Sequence, residues 1–167
     1  LVLDGRTNRP ARDIRYRFRG NTVLSDSVLT GLFPKDDNIL SLHAVKTAAD
    51  SAILLLHEKG YDLAHIRSIG YDHEAAIVTV DFDEGLLDYV DIRGNDRTRS
   101  WIIKANYPLR PGEPFDIRKS EKGLANIYGT GFFDHVGLDL RPTDSGVHLT
   151  INVKEKPFTQ ARFGAHW

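Results

Sequence analysis

Cysteine is absent from this 167-residue chain. That removes disulfides, thiol nucleophiles and cysteine-ligated zinc, without choosing between a reducing and an oxidising compartment. Positive charge is not in excess either: 22 Lys and Arg stand against 23 Asp and Glu. Nothing is left over to neutralise a phosphate backbone, so nucleic acid is not an expected partner. No run approaches the ~20 apolar residues of a membrane-spanning helix, and no secretory signal pattern is present. The seven histidines lie singly, at 43, 57, 65, 73, 135, 148 and 166, without HExxH or i, i+4 pairing, so no metal site is expected. None of the eight serines sits in a GxSxG elbow. Gly129-Thr130-Gly131 follows a helix and precedes a strand, the reverse of a nucleotide-binding loop. The expectation is a chain without catalytic, cofactor-binding or metal-ligating residues, and not an enzyme.

What is present is a design used twice. In Leu124–Leu140, helical spacing puts Leu124, Ile127 and Tyr128 on one face, and Gly129 and Gly131 are suited to a left-handed stop. Phe133, Val136, Leu138 and Leu140 then follow in mostly alternating order. Upstream, Leu55 and Leu56 lead to Gly60, then Tyr61, Ala64 and Ile66. Gly131 aligns with Gly60 and Leu149 with Val78 at an offset of 71 residues, and Gly94-Asn95 repeats Gly20-Asn21 at 74. A repeat of this length is a duplicated domain rather than a solenoid turn.

Taken in order, residues 1–13 read as an upstream strand tail and a polar turn. Ile14, Tyr16 and Phe18 alternate with Arg15, Arg17 and Arg19, a half-buried strand closed by Gly20-Asn21. Ser25 or Asp26 is placed to cap a short helix, which Pro34 and the Asp36-Asp37-Asn38 turn end. Val45, Ala48, Ala49, Ala52, Ile53 and Leu56 form the apolar stripe of a longer helix that stops at Gly60. A second strand over Leu63–Ile69, a turn at Tyr71–Glu74 and a third strand carrying Val78, Val80 and Phe82 complete the unit. The second unit repeats this order: a strand at Tyr89–Arg93, a helix capped by Thr98 and holding Trp101, a stiff Pro108–Pro114 connection, and a helix from Asp116 that Gly123 weakens. A strand to Arg141 and a final strand follow. The fold class is α+β, two β-α-α-β-β domains at 14–84 and 85–156, each a three-stranded mixed sheet covered by two helices. Val78, Val80, Phe82, Val147, Leu149, Ile151 and Val153 should be buried.

These residues resemble a tandem of POTRA domains, the polypeptide-transport-associated repeats that precede the barrel in BamA, TamA and related outer-membrane proteins. The resemblance rests on the two Gly-Asn turns, Pro111-Gly112-Glu113-Pro114-Phe115, the Ile127–Val136 segment, the Lys59–Ile66 segment and the ends of both third strands. It departs in the first unit, which lacks the Pro-Gly-Glu-Pro segment. It departs also in strand two, where Gly60 to Ile66 is one residue longer than Gly131 to Val136, so that strand two should be bulged or shifted in one copy. The last residues, 157–167, alternate Ala161, Phe163, Ala165 and Trp167 with polar residues, like the first strand of a membrane barrel. With a start at Leu1 rather than Met, they suggest a piece of a longer protein.

The resemblance implies a periplasmic arm of an outer-membrane barrel protein that binds and guides unfolded outer-membrane or secreted polypeptides. Its partners would be those polypeptides, the chain's own C-terminal barrel, and periplasmic lipoproteins or chaperones. Two other readings stay open: the arm of a secretion barrel with an upstream passenger such as a patatin-like hydrolase, and an interaction scaffold related to cell-division proteins. It further implies that strand two lies at a sheet edge and pairs with extended chains. The candidate residues are Leu63, Ala64, His65, Ile66 and Arg67 in the first unit, and Val136, Gly137, Leu138, Asp139 and Leu140 in the second. Elsewhere the plainer readings are the stronger. Arg15, Arg17 and Arg19 form a solvated face that Asp81 and Asp83 could pair, Trp101 and Phe115 are core or junction residues, and Leu86 and Leu87 fill a junction.

Overall fold

The computed structural model describes residues 14–35 and 41–157. The upstream tail, the Asp36-Asp37-Asn38 turn and the barrel-like segment from 158 lie outside the described residues. The chain divides into two units, 1–85 and 86–167. The first contains β1 (Arg15–Arg19), α1 (Asp26–Leu32), α2 (Leu42–Glu58), β2 (His65–Asp72) and β3 (Ile77–Asp83). The second contains β4 (Leu87–Arg93), α3 (Ser100–Asn106), α4 (Ile117–Gly129), β5 (Phe133–Pro142) and β6 (Val147–Glu155). Both sheets are mixed. In each, the last strand is the centre, parallel to the first and antiparallel to the second, in the orders β1-β3-β2 and β4-β6-β5.

Alternation decides which side chains reach the core. Val78, Val80 and Phe82 of β3 pack against Val45, Ala48, Ala49, Ala52 and Leu56 of α2 and Leu29 of α1. Leu149, Ile151 and Val153 are buried likewise in the second unit, whereas Val147, next to the hairpin, is only half-buried. Ile127 of α4 is fully buried, but Tyr128 is exposed, because the helix meets its sheet over a narrower arc than the spacing suggested. Gly123 has a packing role. A Cβ there would lie 2.5 Å from the Tyr107 ring and 2.6 Å from Pro108 Cδ, so the glycine admits the α3–α4 connection against α4. Tyr107 is held there by a buried hydroxyl contact to Ser120 Oγ (2.7 Å), and burial raises its pKa.

The device that joins the layers is repeated in both units. Gly20 (φ +72°) and Gly94 (φ +87°) take left-handed conformations, and a Cβ at either would overlap a carbonyl oxygen of the central strand, that of Phe82 or of Val153. The following asparagine then shapes the entry to the first helix. Asn21 Nδ2 donates to Leu24 O (3.0 Å) and Asp26 Oδ1 (2.8 Å), and Asn95 Nδ2 to Thr98 O (2.9 Å) and Ser100 Oγ (2.9 Å). Two residues beyond the contacted carbonyl, a carboxylate closes the loop. Buried Glu84 accepts the N–H groups of Thr22 (2.8 Å) and Val23 (3.1 Å), and Glu155 those of Arg97 (3.1 Å) and Thr98 (2.6 Å). Neither Ser25 nor Thr98 caps by its side chain. Ser25 and Arg99 hold the N-cap positions without a side-chain cap bond, and in the first helix the Ser25 carbonyl takes the Val28 and Leu29 N–H groups. Hydrogen bonds from Thr98 above all, with Arg97 adding to them, bring the Glu155 pKa down to about 2.

Two outcomes are expected from this device. Gly94→Ala should destabilise the chain by about 1–3 kcal/mol or more, because left-handed strain adds to a backbone overlap. Gly112→Ala, equally left-handed at φ +87° but with open space around it, should cost about 1 kcal/mol; urea unfolding compares the two. The Glu155 carboxyl is depressed from 4.5 to about 2 in the fold. Its contribution is therefore complete above pH ~4.5 and lost as pH falls toward 2. Unfolding of Glu155→Gln, followed from neutral pH down through this window, should start less stable than the parent and converge on it.

Candidate functional site

The edge strands are the features to which the sequence points, and the hydrogen-bond direction along each central strand identifies their free positions. In the first unit the Arg15 N–H donates to Ala76 O (3.0 Å). Main-chain groups alternate sides along a strand, so Val78, Val80 and Phe82 bond toward β1, while Ile77, Thr79, Asp81 and Asp83 bond toward β2. Their register partners Asp72, Gly70, Ser68 and His65 are thereby satisfied. Ile66, Ile69 and Tyr71 turn N–H and C=O outward. In the second unit the Val147 N–H donates to Leu86 O on the β4 side (2.8 Å). By the same alternation His148, Thr150, Asn152 and Lys154 serve Arg141, Asp139, Gly137 and His135 of β5. Val136, Leu138 and Leu140 face outward. The two triplets are equivalent by register: they lie opposite Phe82, Val80 and Val78 in one sheet and Val153, Ile151 and Leu149 in the other.

Of the ten candidates, four present outward main chain: Ile66, Val136, Leu138 and Leu140. Leu63 and Ala64 precede the strand. A turn bond from Ala64 N–H to Tyr61 O (3.0 Å) and a contact of His57 Nε2 with Ala64 O (2.9 Å) keep this stretch out of the sheet. Ala64 is buried, and the Leu63 Cβ lies under Gly85. His65, Gly137 and Asp139 spend their main chain on the ladder. Arg67 is the extra residue of a bulge, and its guanidinium reaches Asp83 Oδ2 (2.5 Å). Ile69, inside the expected strand but not among the ten candidates, and Tyr71, expected in the turn, belong to the outward set; β2 runs on to Asp72, whose carboxylate accepts the N–H groups of Glu74 (2.9 Å) and Ala75 (3.0 Å). Their alternation with Gly70 was the available signal. Both copies of strand two are bulged, at different places: between Ile66 and Ser68, and between Phe133 and His135. The bulge at Asp134 falls inside the Gly131–Val136 interval and that at Arg67 beyond Gly60–Ile66, so the longer spacing of the first copy comes instead from the Tyr61–Ala64 turn that precedes β2.

Charges on the solvent face pair differently from the expected arginine ladder. Asp83 takes Arg67 and lies 3.9 Å from His65, and Asp81 accepts the Ser68 hydroxyl (2.7 Å). Burial works to raise the Asp83 pKa, and the Arg67 guanidinium overcomes it to leave a net depression. The acids are thus engaged by β2. Phe115 is buried, but Trp101 is 63% exposed, because α3 turns Ile103 inward and Trp101 to the other side. Among the described residues there is no His, Cys, Asp and Glu group able to hold a metal, and no helix long and apolar enough to cross a membrane.

The POTRA family model, described as surface antigen variable number repeat, matches residues 88–156. Protein TOC75-3, chloroplastic, of Arabidopsis thaliana is 23% identical over 145 residues, covering 80% of this chain and 18% of the relative. A putative outer membrane protein assembly factor of Treponema pallidum is 21% identical over 164 residues, covering 90% of this chain and 20% of the relative. The N-terminal domain of Omp85 from Thermosynechococcus elongatus superposes with a TM-score of 0.82 at 23% identity, covering 90% of this chain and 69% of that one. The second unit, over residues 88–156, matches the POTRA family, and the first unit repeats its β-α-α-β-β order. This chain shares the fold of the Omp85 N-terminal domain. It spans about a fifth of the length of the curated relatives it matches.

The outward assignment has a direct check. Leu140→Pro removes an N–H that points to solvent and should cost under about 1 kcal/mol beyond the lost side chain. Asp139→Pro removes a ladder bond and should cost clearly more, about 1–3 kcal/mol. Urea unfolding of the two variants distinguishes them, the second losing clearly more stability than the first.

Proposed function

We propose that this tandem is the periplasmic arm of an outer-membrane barrel protein, with no chemistry of its own, and that it receives and passes on unfolded outer-membrane or secreted polypeptides. The observation that carries the reading is the pair of equivalent free edges, Ile66, Ile69 and Tyr71 on β2 and Val136, Leu138 and Leu140 on β5. In a POTRA tandem, an extended client lying along such an edge gains main-chain bonds without regard to its side chains. Each bond nets about 0.5–1.5 kcal/mol, and ordering each client residue costs about 1–2 kcal/mol. Pairing alone is therefore weak and quickly reversed, as a guide requires. The name of the Treponema relative, an outer membrane protein assembly factor, supports the assembly reading. The remaining partners we propose are the protein's own barrel and the lipoproteins or chaperones that work beside it.

Titration of the isotope-labelled tandem with an extended, alternating outer-membrane-type peptide should shift the amides of the two outward triplets first. The double variant Tyr71→Pro and Leu140→Pro should stay folded and lose those shifts. Binding that persists unchanged in the folded double variant, or shifts confined to the helices, would remove strand addition at these edges.

A further inference from the structure

The opposite edge of the second unit carries a different kind of site. β4 lies at the free margin of its sheet. The start of that margin is closed by the connection after α3: the Leu87 N–H donates to Glu113 O (2.9 Å), and the Gly112 N–H to Leu87 O (2.7 Å). Beyond this plug the margin borders an apolar groove of about 360 Å³, lined by Val90, Trp101, Tyr107, Leu109, Pro111 and Ile151. By the register that sets Tyr89, Asp91 and Arg93 toward β6, Val90 and Ile92 turn their main chain outward at the groove's edge.

The first unit shows what such a space takes. Tyr16 and Phe18 stand opposite Val78 and Val80, as Val90 and Ile92 stand opposite Leu149 and Ile151. Phe33 and Tyr107 are the equivalent C-cap residues of α1 and α3, each donating its N–H to the buried residue four positions back, Leu29 or Ile103. In the first unit the rings of Tyr16 and Phe18 pack on Phe33 with centroids 5.1 and 5.0 Å away. In the second, the smaller Val90 and Ile92 leave the place beside Tyr107 open, with Trp101 exposed at its mouth. The groove also has a sign. Lys104 lines it, and so does Arg110, whose guanidinium donates to the carbonyls of Tyr107, Leu109 and Lys104. The position of Lys104 in the first unit is taken by neutral Thr30.

We infer that the β4 groove binds an aromatic side chain of an extended polypeptide segment, with an acidic residue next to it meeting Lys104 and Arg110. The ring supplies in trans what Tyr16 and Phe18 supply in cis, and the outward main chain of Val90 and Ile92 sets the segment's direction. This goes beyond the β2 and β5 edges, because it selects for side chains where they do not.

The test uses the whole described tandem and short extended peptides that carry a single phenylalanine between aspartates, with alanine or lysine replacements as controls. Binding of the Phe/Asp peptide should shift the Trp101 indole N–H and the Val90 and Ile92 amides, and replacing Phe by Ala should weaken it at least about tenfold. Val90→Tyr with Ile92→Phe, which installs the first unit's own filling, should abolish those shifts while leaving peptide shifts on β5 in place. Lys104→Glu, a surface change that leaves packing alone, should favour the lysine-flanked peptide over the aspartate-flanked one, and it keeps the test decisive if the filled variant does not fold. Equal binding of the Phe and Ala peptides, shifts on β5 with none at Trp101, or no change of charge preference in Lys104→Glu would each overturn the inference. Loss of β5 shifts with the Trp101 shifts intact would count against the edge reading and leave this one standing.

Discussion

Each unit depends on one close approach, that of a glycine to a carbonyl of the central strand. Where Gly20 and Gly94 lie against the Phe82 and Val153 carbonyls, there is no room for a Cβ. The chain leaving the first strand must cross that carbonyl to reach the helical layer. The left-handed turn makes the crossing, the asparagine then orients the helix entry, and the glutamate two residues along the central strand collects the N–H groups that the crossing leaves unpaired. Strand pairing, layer order and helix position are thus set by one cluster of main-chain contacts. The rest of the core can vary in side-chain identity between the copies, and it does.

That cluster also separates what was legible in the sequence from what was not. Helices and strands showed in the periodicity of Val45–Leu56 and Val147–Val153, and the duplication showed in the Gly-Asn pairs, because local geometry demands those residue types. The role of Glu84 and Glu155 could not be read: nothing along the chain says which distant N–H a carboxylate meets. The second strands were placed a few residues early in the first unit, since Leu63 and Ala64 are apolar for a reason of their own, packing under Gly85 and the helix end. Trp101 was misplaced because a helix of seven residues with a single buried position offers no stripe to measure against. Gly123 looked like a flaw in a helix, and its cause lies across the layer in Tyr107 and Pro108.

Among the described residues four strands lie at sheet edges, which would invite indiscriminate association, and the structure limits them in different ways. The bulges at Arg67 and Asp134 interrupt the flat register that another sheet would need, and Pro142 ends β5. On β4 the Gly112-Glu113 loop occupies the first positions. The basic side chains of β1 alternate with its half-buried ones. What remains open on each edge is a stretch of a few residues, enough for a single passing strand and too short for a stacked sheet.

The central strand of each sheet is also the last to be made. β3 and β6 hold their neighbours apart in space and come after both of them in the chain, one neighbour running parallel and the other antiparallel. Until the residues near Asp83 or Glu155 arrive, β1 and β2, or β4 and β5, have nothing between them to pair with, and the crossing glycine has no carbonyl to rest on. Neither sheet therefore contains a strand pair that does not involve its last strand. As the polypeptide emerges amino end first, no strand of a unit has a partner in its sheet until that unit's final segment has been made.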